Sequence, residues 1–215
     1  MKYFFFILLF LLTSCVELID DIQINNDGSG KFKYVINLSQ SKTNVTSMLL
    51  LDSIDGKKNL KLPEIKQKIN NLKKNLSKQE GISNVVVIEN YVDYIIKFEC
   101  NFENLDKLKV AFENSLQESE TTKKTENWVN FDKKLFYRTT PKYAVNFIKD
   151  FYINYSEKLK NGSYTSIVRF QSEIYSFTNK LSLRSKSGMT IMTKVTPNDL
   201  IENPYILDNN VIIKN

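Results

Sequence analysis

The chain has 215 residues, 42% apolar and 25% charged, with a formal net charge of +6. This composition excludes a disordered tail, a collagen-like rod and a polytopic membrane protein. There is no His, there are two Cys, and all but three of the 30 basic residues are Lys, so imidazole metal ligands and every catalytic arrangement built on His are excluded.

The first element reads as a leader. Lys2 precedes the apolar run Phe4-Phe5-Phe6-Ile7-Leu8-Leu9-Phe10-Leu11-Leu12, and small residues Thr13 and Ser14 follow before Cys15. A basic end, a short apolar run and small residues before the cut form a secretory signal. The run is well short of the roughly 20 apolar residues that a membrane-spanning helix needs.

Leu12-Thr13-Ser14-Cys15 resembles the lipobox of bacterial lipoproteins. The resemblance implies that the Cys15 thiol takes a diacylglyceryl group, that a signal peptidase cuts between Ser14 and Cys15, and that the freed amine is acylated. Two or three acyl chains anchor a protein stably, where one binds only marginally. Residues 1–14 are thus expected to be a signal peptide, and residues 15–215 one domain held to membrane lipid through Cys15. The expected location is the cell envelope, at the outer membrane. An acylated Cys15 leaves Cys100 without an intramolecular partner. Cys100 shares strand parity with Ile96 and Phe98, which predicts a buried small hydrophobe.

After the leader, an apolar–polar mixture near Leu18 to Asn25 leads into Asn26-Asp27-Gly28-Ser29-Gly30, and Phe32, Tyr34, Ile36 and Leu38 then alternate with Lys33, Val35 and Asn37. This is hairpin patterning around an Asp-Gly turn. The turn lacks the Lys-Ser/Thr of a P-loop and the acid spacing of an EF-hand. Ser39 to Ile54 carries Val45, Met48 and Leu49 at helical spacing. Leu62, Ile65, Ile69, Leu72 and Leu76 make one apolar helical stripe, with Pro63 near its start and Gly81 at its stop. Ile82 to Ile88 and Tyr91 to Cys100 predict a second hairpin, turning near Glu89-Asn90. Leu105, Leu108, Phe112 and Leu116 predict another helix. Trp128 to Thr139 predicts two short strands about Asp132-Lys133-Lys134. Residues 141–160 fit a helix through Ala144, Phe147, Ile148, Phe151, Tyr152 and Tyr155, although Tyr143, Val145 and Phe147 also alternate. Strands return at Tyr164 to Phe170, Ile174 to Thr178, Met189 to Val195 and Val211 to Ile213, with turns at Lys186-Ser187-Gly188, Pro197 and Pro204. The expected fold is α+β: two layers, a largely antiparallel sheet with amphipathic helices mainly on one face.

Two stretches resemble an uncharacterised family of lipoproteins found in Bacteroidota. One is the lipobox followed by Asn26-Asp27-Gly28-Ser29-Gly30-Lys31-Phe32. The other is Ile174 to Lys180, then Ser187-Gly188-Met189-Thr190 and Asp199 to Pro204. Where that family often has Phe-Pro, this chain has Phe170-Gln171. The resemblance implies a lipoprotein with an α+β fold and no particular activity. Asp52-Ser53-Ile54 is similar to the short O-glycosylation site of the same phylum, and Glu17, Asp20 and Asp21 resemble its acidic export signal in spaced form.

Charge is uneven. Between Lys57 and Lys78 there are eight lysines (Lys57, Lys58, Lys61, Lys66, Lys68, Lys73, Lys74 and Lys78) against Glu64 alone. A basic amphipathic helix either lies on anionic lipid or an acidic partner, or packs its stripe on a core and solvates its lysines. Nucleic acid is not expected as a partner, since Arg138, Arg169 and Arg184 are scattered and no recognition motif appears. Carboxylate pairs for a His-free hydrolase of an envelope polymer, such as Asp20-Asp21, Glu99 with Glu103, and Glu118 with Glu120, read as solvated surface acids. Trp128 and Tyr137 are the aromatics least tied to a core pattern. No cofactor or metal is expected, and the expected role is a non-catalytic binding or structural module, with an envelope protein or glycan as partner.

Overall fold

The computed structural model describes residues 16–54, 57–116, 127–142, 145, 149 and 162–214. In chain order its elements are β1 (Glu17–Ile24), β2 (Gly30–Asn37), a 3-10 turn (Ser39–Ser41), α1 (Lys42–Leu50), β3 (Ser53–Ile54), β4 (Lys57–Lys58), α2 (Leu62–Leu76), β5 (Ile82–Asn90), β6 (Ile95–Phe102), α3 (Leu105–Leu116), β7 (Val129–Asp132), β8 (Leu135–Arg138), β9 (Ser163–Phe170), β10 (Ile174–Phe177), β11 (Ser182–Arg184), β12 (Thr190–Val195), α4 (Pro197–Glu202) and β13 (Asn209–Ile213).

β1 and β2 form the expected hairpin, in register from Glu17 opposite Asn37 to Ile24 opposite Gly30. Its turn is closed by Asp27, whose carboxylate accepts from the Ser29 N–H and hydroxyl, and by Gly28 at φ 87°. Gly30 is required for a different reason. A Cβ there would sit 1.9 Å from the Gln23 carbonyl oxygen and 2.6 Å from the Phe102 ring.

The main sheet has seven strands in the order β11-β12-β9-β1-β2-β6-β5, and a second has four in the order β10-β13-β8-β7. The fold is α+β and largely antiparallel, as expected from the sequence. Its one parallel contact in the main sheet joins β1 to β9, from Glu17 opposite Ser163 to Ile24 opposite Phe170. No periodicity signals that pairing, because both strands carry the same alternation whichever neighbour they take.

The inner face of the main sheet, the second sheet, α2 and α3 enclose the principal core. Ile22, Ile24, Phe32, Phe102, Leu76, Leu108, Phe112, Phe136 and Val211 meet there. Phe32 and Phe112 pack edge to face with ring centroids 4.7 Å apart, as do Phe136 and Phe170 at 5.4 Å. Each such ring or aliphatic side chain contributes roughly 1.5–3 kcal/mol by leaving water. A smaller cluster of Val16, Leu18, Tyr164, Val195, Leu200 and Leu207 fills the end of the sheet where β1 begins.

Several boundaries differ from the sequence reading. α1 covers only Lys42–Leu50, because Leu51 turns extended at ψ 140° and leads into β3. The second hairpin turns at Tyr91–Tyr94, later than Glu89-Asn90. There the Asn90 side-chain oxygen accepts the N–H groups of Val92 and Asp93, and Tyr94 adopts φ 53°. The stretch after Pro197 is a helix where a turn is expected. Thr196 and Asp199 form a reciprocal capping box, and Pro197 occupies the first turn. Of the helix expected over 141–160, Lys142, Val145 and Lys149 are helical, and 143–144, 146–148 and 150–160 lie outside the described residues.

Candidate functional site

Ser14 and Cys15, the expected cleavage and lipidation residues, lie outside the described residues. The fold takes hold immediately after them. Val16 is buried, its carbonyl accepts the Ser163 N–H at 2.7 Å, and β1 starts at Glu17.

The basic segment divides at α2. Ile69 and Leu76 are buried and Leu72 packs on the core, so the apolar stripe faces the protein. Lys66, Lys68, Lys73 and Lys74 of α2 are exposed, as is Lys78 just beyond its end. The lysines at the start of the segment are partnered: Lys58 with Glu64 at 2.8 Å and Lys61 with Asp52 at 2.8 Å. Lys66 lies 4.5 Å above the Tyr91 ring. Lys57 belongs to β4, opposite Ile54. Thus the sequence surplus is softened at the N-terminal end of α2 and persists along its C-terminal half.

The two acid pairs among the described residues do not converge as pairs. Asp20 and Asp21 are consecutive in β1 and point to opposite faces of the sheet. Glu99 lies on β6, 3.6 Å from Lys33, while Glu103 is exposed beyond the strand. Glu118 and Glu120 lie outside the described residues. No group of three or more His, Cys, Asp or Glu that could hold a metal occurs among the described residues. Ser53 of the Asp-Ser-Ile triplet is exposed in β3. Cys100 is buried, and burial pushes its thiol up to about 12.

Two sequence readings are corrected here. Asp20 is not a surface acid but is fully buried, and Trp128 is 1% exposed, so it offers no free ring to a ligand. The two belong to one cluster. The Asp20 carboxylate accepts from Arg138 Nη2 and from the Tyr164 hydroxyl, and the Arg138 guanidinium lies 5.7 Å from the Trp128 ring centroid. Burial pushes the Asp20 carboxyl above its ordinary value, against the pull of the Arg138 charge and of its hydrogen bonds. Tyr34, opposite Asp20 on β2, is also pushed up, by burial first and then by the Asp20 charge. On the outer face, Arg169 makes a forked contact with Asp21 at 2.9 to 3.1 Å. Glu17, Asp20 and Asp21 are all built into β1.

The buried ion pair separates the two apolar clusters: Leu18 on one side of Asp20 belongs to the smaller, Ile22 on the other to the larger. Parity carried the signal for it. Asp20 alternates in step with Leu18, Ile22 and Ile24, and Arg138 with Phe136, so an inward acid and an inward base each needed the other. Asn26 and Asn179 of the stretches that carry the family resemblance, and Gln171, where the chain departs from it, serve turns and joints. Gln171 accepts the Asn26 N–H at 2.9 Å and donates to Asn25 at 3.0 Å, and Asn179 donates to the carbonyls of Ile206 and Asp208.

Among the described residues no helix is long and apolar enough to cross a membrane. No protein-family model matches the chain, and no curated protein does. Among solved structures, the chain is similar to the NMR structure of the folded domain of the Mycobacterium tuberculosis protein LppM. The TM-score is 0.39 and the identity 8%, covering 92% of this chain and 89% of that one.

Proposed function

We propose that the mature chain, from Cys15 onward, is a single-domain, lipid-anchored module of a bacterial cell envelope that acts by binding or as a structural part and not by catalysis. The observation that carries this reading is the nine-residue apolar run after Lys2 that ends in Leu12-Thr13-Ser14-Cys15. The position of Val16 and β1 supports it, since the fold starts one residue after the acylated position. Mass spectrometry of the native product tests it. The expected N-terminal peptide begins at Cys15 and carries acyl chains; a free thiol there, or a retained leader, removes the reading.

A second reading is favoured by the exposed lysines of α2 and Lys78 just after it, which would receive anionic headgroups or an acidic partner. Flotation of the protein with anionic vesicles, compared with its Lys73→Glu, Lys74→Glu and Lys78→Glu variant, tests the lipid form of it. Equal flotation of the two proteins removes that form.

A further inference from the structure

Strand register gathers several connections beside the start of β1. Asn37 lies opposite Glu17, Ile95 opposite Asn37, and Ser163 opposite Glu17 on the other side. The β2–α1 connection, the Tyr91–Tyr94 turn and α4 therefore all emerge at this one end of the sheet. Leu38 N–H donates to the Tyr94 carbonyl at 3.1 Å, and the Thr46 and Tyr94 hydroxyls share a 2.9 Å hydrogen bond. The Asn59 amide donates to the carbonyls of Met48 and Leu51. These bonds join α1, the turn and the approach to α2 into one surface.

That surface is more apolar than a set of loops and helix ends ordinarily is. α1 carries Val45, Met48, Leu49 and Leu50, yet none of its side chains is buried. Leu50 is 78% exposed and Val92, at the tip of the hairpin, 70% exposed. Leu51, Leu60 and Tyr205 are exposed at the same end. Its lysines are largely matched by acids: Lys42 with Asp93 at 3.4 Å, Lys58 with Glu64 and Lys61 with Asp52. Apolar contact, and not net charge, is what this end offers.

The tether identifies what covers it. Val16 is fixed by burial and by the hydrogen bond from Ser163, and consecutive Cα atoms are about 3.8 Å apart. An acylated Cys15 thus holds this end against the bilayer with no linker in between. We infer that the sheet end bearing Val16 rests on the membrane through Leu50, Leu51, Leu60, Val92 and Tyr205, with the main sheet and α2 standing away from the bilayer. The inference rests on the proposed acylation of Cys15. α2 starts at the membrane end, where Lys66 covers Tyr91, and its 15 residues rise about 22 Å toward Gly81 and the opposite end, where Ile82 pairs with Phe102. Lys73, Lys74 and Lys78 consequently stand clear of the headgroups, so this placement and the lipid form of the second reading exclude each other.

The test uses the full, lipidated protein in vesicles of phosphatidylethanolamine and phosphatidylglycerol. Nitroxide labels are placed through four separate variants, Leu51→Cys, Val92→Cys, Lys78→Cys and Lys186→Cys, all at exposed positions. The expected result is a several-fold lower collision rate with a water-soluble nickel chelate at 51 and 92 than at 78 and 186, with the difference lost in detergent-free Cys15→Ser protein without vesicles. Equal collision rates at all four positions overturn the inference. So does protection at 78 matching that at 92, which would mean a helix lying flat on lipid, and so does protection at 51 and 92 that persists without vesicles. Intact mass of the same samples keeps the two failures apart. An unacylated Cys15 overturns both the anchor and the docking, whereas an acylated protein with aqueous labels overturns the docking alone.

Discussion

Asp20 and Arg138 place opposite charges in the interior of a sheet protein, 118 positions apart in sequence. Removing one partner strands the other charge out of water, which costs about 3–5 kcal/mol, whereas replacing both by apolar residues of similar size is often close to neutral. Asp20→Leu and Arg138→Met should each lower the urea midpoint strongly, while the Asp20→Leu, Arg138→Met double variant should lie above both. A double variant as unstable as the sum of the singles would show that the two residues do not act as a pair. Cys100 makes a simpler case. Its thiol is pushed from 9.0 up to about 12 by burial, so it should resist alkylation at pH 8 until the protein is unfolded. The folded chain keeps this proton between those two values while the unfolded chain releases it, so the Cys100 contribution to stability falls as pH rises through that window. Alkylation of native protein as fast as of unfolded protein would contradict this.

At the scale of elements, α4 shows how a short helix is specified. Six residues do not sustain a helix by propensity alone. The Thr196 hydroxyl accepts the Asp199 N–H at 3.2 Å, the Asp199 carboxylate accepts the Thr196 N–H at 2.8 Å, and Leu200 is fully buried over the smaller cluster. Thr196→Ala should cost about 1 kcal/mol, read as a lowered urea midpoint. An unchanged midpoint would mean that the burial of Leu200 alone holds the helix. The signal was present in Thr196-Pro197-Asn198-Asp199, although the two prolines of the region invite a turn reading. α2 was legible from its stripe, because an apolar spacing of three and four residues can bury only one face. Which side its lysines meet was not legible, since a solvated face and a docking face have the same sequence pattern.

For the whole molecule, the consequential feature is the zero-length junction between Cys15 and the fold. Cys15→Ser in a chain begun at residue 15, without the apolar leader, should leave the domain folded and out of the membrane fraction, measured by fractionation together with circular dichroism. Retention of the variant on membranes in full would transfer the anchoring role to the surface around Leu50 and Val92. What the sequence by itself determined was local: the alternating strands, the Asp-Gly turn, the stripes of α2 and α3, and the inward position of Cys100. These follow from side-chain periods of two and 3.6 residues, which any chain segment carries without reference to the rest. Only the tertiary structure decided that β1 lies between β2 and the distant β9, that Asp20 is matched by Arg138, and that Leu50 and Val92 reach the same end of the sheet as Val16. Those facts depend on which strands pair across more than a hundred residues, and that choice is made by closing a common core, not by any local pattern.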